Sequence, residues 1–242
     1  MSSLRLLLLA AGLTGALAAL PASDLPSDPY TATFSIVAYD PVTKEWGIGV
    51  ASKYLAVGSV VPHAKAGVGA VATQAFVNYS LGPRGVDLMA EGNSAADALA
   101  ELKKSDRFIE SRQLGLVDKA GDAVTFTGKK TLAYAGGKTG KHYACQGNIL
   151  ASEKVITDMA KAYEEHARWP FAWRIWAALE AAEKAGGDRR GKQSAAILLV
   201  RERGGPNGFG DRALDLRVDD HTAPIAELGR ILALAVRKPK SD

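Results

Sequence analysis

The sequence predicts an α+β domain in which two sheets lie between helical layers. Three observations carry that prediction. Runs of alternating apolar and polar residues occur in pairs around turn chemistry. These strand pairs alternate along the chain with pairs of helical segments. Of the 242 residues, 47% are hydrophobic and 23% charged, an ordinary globular balance that excludes wholesale disorder. Aromatic residues make up only 7% while glycine numbers 25, so the core is built from small side chains that let its layers approach closely.

The first 32 residues stand outside this pattern. Arg5, the apolar run 6–20 and the small-x-small triplet 16–18 predict a signal peptide over 1–18. The run is shorter than the ~20 residues that span a bilayer, so no stable membrane anchor is expected. Residues 19–32, with Pro21, Pro26 and Pro29 among Ser and Asp, predict a linker or propeptide. The expected product is periplasmic or secreted: a single domain over 33–237 with a solvated tail at 238–242.

Within the domain, residues 33–39 and 46–52 alternate in period two around Asp40-Pro41-Val42-Thr43-Lys44-Glu45 and predict a hairpin. One face of its second strand carries Trp46, Ile48 and Val50 and the other Gly47 and Gly49, which leaves room for something to approach the backbone. Further strands are expected at 56–61 and 67–76. Helices follow at 83–90 and from Ser94, where Ser94-Ala95-Ala96-Asp97 resembles a capping box with Asp in the Glu position. A second hairpin is expected over 113–118 and 123–127, then a glycine-rich loop and a strand through 143–150. A third helix carries Val155, Ile156, Met159, Ala160 and Tyr163 on one face, and a fourth spans about 170–185. Strands at 194–201 and 214–218 and a helix over 223–236 complete the domain.

Several chemistries lack their residues. The net charge of +4 is dilute and its basic clusters are short, so no nucleic-acid partner is expected. Residues 67–72 match G-x-G-x-x-A, but strand-like residues continue to Phe76 where a dinucleotide fold needs a helix; no cofactor is expected. The single cysteine, Cys145, excludes an intramolecular disulfide and reads as packing more readily than as a thiol nucleophile. His63, His142, His166 and His221 show no metal-ligand spacing, and no metal is expected. Asp219-Asp220-His221 reads as a turn with Asp capping the last helix, against a metal-assisted hydrolase as the rival reading. Thr33 opens the first strand directly after a removable leader. A threonine hydroxyl becomes a nucleophile when a base sits beside it, and a mature N-terminal threonine carries one in its own α-amine. A β-branched residue opening a strand is the plainer account.

The segments 33–41, 56–62, 66–74, 79–85, 186–196 and 215–221 together resemble the domain of unknown function 1028, a family grouped with the N-terminal nucleophile (Ntn) hydrolases. The resemblance spans about 33–237. It implies an α+β, four-layer αββα sandwich of two mainly antiparallel sheets, and by analogy hydrolysis of an amide or peptide-like C–N bond in a small-molecule or peptide-like substrate. Thr33 falls where typical members have the threonine after the initiator methionine. In this chain a cut after Ala18 leaves residues 19–32 ahead of Thr33, so a second cut after Ala32 is required to free its amine.

On that reading Thr33 and Ser52 are the catalytic candidates, with Ser52 placed beside Thr33 by the hairpin to relay protons or orient the amine. Thr73, Gln74 and Asn78 are candidates for oxyanion or substrate binding. Asp188, Arg190 and Gln193 join them as a polar cluster entering a buried strand, and Arg84 and Asp220 as positions in the matching segments. Lys53 is a neighbouring charge or a solvated strand end. The competing reading is a catalytically silent ligand-binding or envelope module that keeps residues 19–32. A homo-oligomer is compatible with either.

Overall fold

The computed structural model describes residues 33–239, so the signal-peptide and linker assignments and the end of the tail lie outside the described residues. β1 (Thr33–Asp40) and β2 (Glu45–Ser52) form the predicted hairpin, in register from Thr33 opposite Ser52 to Asp40 opposite Glu45. Asp40 Oδ1 closes its turn by accepting Val42 N at 2.8 Å. Next come β3 (Pro62–Lys65), β4 (Gly69–Ala75), α1 (Leu81–Ala90) and α2 (Ala95–Ser105). β5 (Arg112–Asp118), β6 (Ala123–Thr127), β7 (Gly136–Gly140) and β8 (Tyr143–Gly147) follow. α3 (Lys154–Glu165), α4 (Phe171–Lys184), β9 (Ser194–Val200), β10 (Arg212–Val218) and α5 (Pro224–Ala235) end the order.

The strands form two antiparallel sheets, one ordered β10-β9-β2-β1-β8-β7 and the other β3-β4-β5-β6. Period two decides what each face meets. Phe34, Ile36 and Ala38 of β1 pack with Trp173, Ile175 and Leu179 of α4 on one side of the six-stranded sheet. Val37 of β1 and Trp46, Ile48 and Val50 of β2 turn the other way and meet Ala70, Ala72 and Val117 of the four-stranded sheet. Val71, Leu114 and Leu116 on that sheet's far face pack against Leu81, Val86, Ala98 and Leu102 of α1 and α2. Three apolar layers thus separate helices, sheet, sheet and helices, an arrangement that fits the expected sandwich.

Local chemistry sets the boundaries. Ser94 Oγ accepts Asp97 N at 3.2 Å and donates to Asp97 Oδ2 at 2.7 Å, so the box predicted with Asp forms at the start of α2. Buried Asp118 fixes the neighbouring corner. Its Oδ2 accepts Ala95 N at 2.9 Å, while its Oδ1 accepts Ala120 N and Asp122 N in the β5–β6 turn.

Two expectations change. Residues 56–61 are not a strand: Val57–Ser59 is a 3-10 turn, and the strand begins at Pro62. The backbone donors there are taken from outside any ladder, Ala56 N by Asp219 O at 2.9 Å and Val57 N by Ser194 Oγ at 3.1 Å. Proline lacks an N–H, which suits the first residue of an edge strand. The glycine-rich loop contains β7, a sheet edge whose glycine content hides it; its pairing with β8 supplies what propensity does not.

What approaches the glycine face of β2 is α4. A Cβ on Gly49 would sit 2.4 Å from Ile175 Cγ2, and one on Gly47 would sit 2.6 Å from Ile175 Cδ1. Gly49→Ala should therefore cost about 1–3 kcal/mol by overpacking. In urea unfolding, Gly49→Ala with Ile175→Ala should be less destabilised than the two single losses added together.

Candidate functional site

Thr33 and Ser52 face one another at the end of the β1–β2 hairpin, and both are buried. Thr33 Oγ1 donates to Ser52 Oγ at 3.3 Å. The Thr33 carbonyl accepts Asn148 N at 3.0 Å and Gln74 Nε2 at 3.4 Å, which ties the first strand residue to the segment after β8 and to the opposite sheet.

Behind this pair the space between the sheets holds a cluster of buried amides and hydroxyls. Gln113 on β5 is its hub. Its Nε2 donates to Gly147 O at 2.8 Å, Thr127 Oγ1 at 2.8 Å and Gly136 O at 3.0 Å. Its Oε1 accepts Gln74 Nε2 at 2.8 Å and Asn148 Nδ2 at 3.0 Å. Gln74 Oε1 in turn accepts Ser35 Oγ at 2.6 Å, and Ser35 Oγ accepts Gln146 Nε2 at 2.7 Å. Gln146 Oε1 and Asn148 Oδ1 are buried acceptors with no protein partner among the described residues, which leaves them for the N–H of a ligand or for water.

A second polar group closes the Ser52 side. Asp188, its side chain 1% exposed, accepts Lys53 N at 2.8 Å and Arg190 N at 2.9 Å, and pairs with Arg190 Nη2 at 3.1 Å. Gln193 N donates to Ser52 O at 3.1 Å, and Gln193 Nε2 donates to Asp220 Oδ1 at 3.1 Å. Between this loop and the sheet lies a cavity of about 270 Å³ whose lining includes Phe34, Ala51, Ser52, Glu183, Asp188 and Lys192.

The structure therefore gathers Thr33, Ser52, Gln74, Asp188, Arg190, Gln193 and Asp220 at one end of the six-stranded sheet. Thr73, also buried, reaches only the Asn78 carbonyl, at 3.4 Å. Asn78 itself is committed elsewhere, its Nδ2 to Asp106 and its Oδ1 to Ser80, so it is not aimed at Thr33. Arg84 points to solvent on α1 and pairs with Glu91 at 3.4 Å. Lys53 contributes backbone to the site while its side chain is exposed. The turn into α5 is made by His221, whose Nδ1 accepts Ala223 N at 2.9 Å, and not by an Asp cap. Among the described residues no group of three His, Cys, Asp or Glu is placed to hold a metal.

Ser35, Gln113, Gln146 and Asn148 are missing from the sequence-derived set. For Ser35, Gln113 and Gln146 the signal was an amide or hydroxyl at a core-phase position of a strand, and for Asn148 an amide directly after one, where a hydrogen-bonded network accounts for it. Cys145, next to Gln146, is fully buried, and burial pushes its thiol far above the usual range, so it is no thiolate nucleophile.

The neighbouring Asp106–Arg112 ion pair is buried, with Arg112 Nε 2.8 Å from Asp106 Oδ2. Arg112 also donates to the Phe76 carbonyl and lies over the Phe76 ring at 5.0 Å. Burial raises the Asp106 carboxyl, but hydrogen bonds from Arg112, Asn78 and Phe108 N outweigh it and hold it below its ordinary range.

A model described as a family of unknown function (DUF1028) matches residues 33–228. The chain is similar to the crystal structure of protein SPO2555 from Silicibacter pomeroyi, described by the same family model. The likeness has a TM-score of 0.76 at 30% identity and covers 85% of this chain and 89% of that one. No curated protein matches.

Two stability measurements test this geometry. Gln113→Leu takes the side-chain donor from the Gly136 and Gly147 carbonyls and one acceptor each from Gln74 and Asn148, and should cost ~3 kcal/mol or more in urea unfolding. A loss below ~1 kcal/mol would show that the network does without its hub. Asp106→Asn should lower Tm at neutral pH. Because the Asp106 pKa is depressed on folding, its stabilisation is complete above the ordinary 3.8 and fades as pH falls through the lower folded value. The Tm gap between wild type and Asp106→Asn should therefore close below pH 3.8.

Proposed function

The chain belongs to the DUF1028 family, and from its site we propose that it is an exported hydrolase of the N-terminal nucleophile type. Its fold is read as the Ntn-hydrolase-like αββα sandwich. The bond cleaved is an amide or peptide-like C–N bond, and the nucleophile is Thr33 once residues 1–32 are removed. One observation carries this reading. The hydroxyl of the first residue of a central strand is hydrogen-bonded to a cross-strand serine and backed by a buried amide network. A threonine that merely opens a strand needs no such surroundings.

In the proposed reaction Thr33 Oγ attacks the substrate carbonyl carbon, and its proton passes to the Thr33 α-amine. The amine then delivers that proton to the leaving nitrogen as the C–N bond breaks, which leaves an ester on Oγ. Water, deprotonated by the same amine, hydrolyses the ester and restores the hydroxyl. Ser52 is a positioning residue that fixes the Oγ rotamer. Gln74, which reaches the Thr33 carbonyl, holds the nucleophilic residue in place; it is not read as an oxyanion donor. The cavity beside Ser52, with Phe34 and Ala51 in its wall, lies where a substituent of the acyl group would extend.

While residues 1–32 remain attached, the Thr33 nitrogen is an amide and cannot act as a base. Thr33 is also fully buried. That burial favours the second reading, a silent ligand-binding or envelope module, for any form that keeps residues 19–32.

The N-terminal sequence and intact mass of the protein from an exporting host decide between the two. A terminus at Thr33 is expected. Thr33→Ala should then cut turnover on a panel of amides and acyl amino acids by a factor on the order of 10⁴ or more. Thr33→Ser should keep part of it. A functional form beginning at Ala19 or Ser23 would sink the α-amine mechanism.

A further inference from the structure

At the opposite end of β1 and β8 from Thr33 lies a cavity of about 760 Å³. Its size falls within the ~300–1,000 Å³ of small-molecule sites. Lys141, Arg168 and Arg174 line it, and none of them enters an ion pair among the described residues. Arg174 is half-buried and fixed in place. Its Nε donates to Tyr163 O at 2.8 Å, and its guanidinium lies 3.9 Å from the centre of the Tyr163 ring. That leaves the outer donors of a pre-set fork without a carboxylate.

Each of the two carboxylates in the lining has a partner of its own and pairs with none of these cations: Asp40 Oδ1 accepts Val42 N, and Glu164 Oε1 accepts Tyr143 Oη at 2.5 Å. Trp169 supplies a second, independent sign. The indole N–H groups of Trp46, Trp173 and Trp176 donate to the carbonyls of Asp118, Val236 and Ile225. Trp169 lines this cavity with its ring edge-on to His166 at 4.0 Å between centroids, and its indole N–H has no protein acceptor among the described residues. Beside it the rim carries Val42, 88% exposed, and Pro170. A half-buried guanidinium and an indole N–H without protein acceptors, set beside apolar faces, fit an anion with a flat apolar body.

We propose that this cavity is a second ligand site that takes a small organic carboxylate with an aromatic or other planar ring. Its carboxylate sits on Arg174, and its ring lies against Trp169 and Val42. The site is separate from Thr33, and the inference does not rest on the hydrolase reading.

The test is titration calorimetry on the folded chain with 2-naphthoate and its neutral isostere 2-naphthamide. Naphthoate should bind about tenfold tighter than the amide, and Arg174→Gln should remove that advantage. Trp169→Leu should weaken both probes. Because Arg174 also steadies Tyr163, the exposed pair Lys141→Gln and Arg168→Gln serves as a second variant. It should weaken naphthoate severalfold and flatten its salt dependence. Equal affinity for the two probes, or no binding of either, overturns the proposal. So does naphthoate binding that survives Arg174→Gln, or that is lost on Ala51→Leu in the cavity beside Ser52.

Discussion

The orientation of one carboxamide sets the polar interior. Gln113 Nε2 lies among two backbone carbonyls and a hydroxyl, so that atom must be the donor and Oε1 the acceptor. Gln74 and Asn148 then turn their NH2 groups toward Gln113, which leaves Gln74 Oε1 to receive the Ser35 hydroxyl and Ser35 Oγ to receive Gln146. Every hydrogen-bond direction from β5 to the Thr33 carbonyl follows from that first constraint. The same side chain bridges the two sheets, since Gly136 and Gly147 belong to the six-stranded sheet and Gln113 to the other. A purely apolar filling would hold the sheets together as well, but it would remove the Gln74 side-chain bond that ties the Thr33 carbonyl to the opposite sheet.

Much of the fold was legible because period two and period 3.6 are strong signals where core faces are apolar. The β1–β2 hairpin, the Ser94 cap and the apolar face of α3 all follow from side-chain spacing. Residues 56–61 misled because Val57 and Val61 do face the core, but from a turn whose donors are taken by Ser194 and Asp219, partners distant in sequence. β7 was hidden for the opposite reason, being held by a neighbour despite a glycine-rich composition.

The site was legible in part. Thr33 follows from opening the first strand after a removable leader and from the family resemblance, Ser52 from the hairpin register opposite it, and Gln74 from being a side-chain amide near the end of a strand. Gln113 lies on β5 while Gln146 and Asn148 lie at the end of β8, in the other sheet, so only the stacking of the sheets reveals that they meet. Arg84 shows the limit of reasoning from matching segments, and Asn78 the limit of reading an amide after a strand as a binding group. Each has a protein partner, Glu91 for Arg84 and Asp106 for Asn78, that accounts for it without a ligand.

The sealed position of Cys145 has a consequence for how the molecule can be watched. It is the only thiol in the chain, and it lies on the middle strand of the β1-β8-β7 end, beneath α3. A thiol reagent reaches it only when those layers part. Its labelling rate is thus a clock for opening of the six-stranded sheet, read without introducing a probe. A disulfide-linked dimer in a preparation would mark chains that met while unfolded.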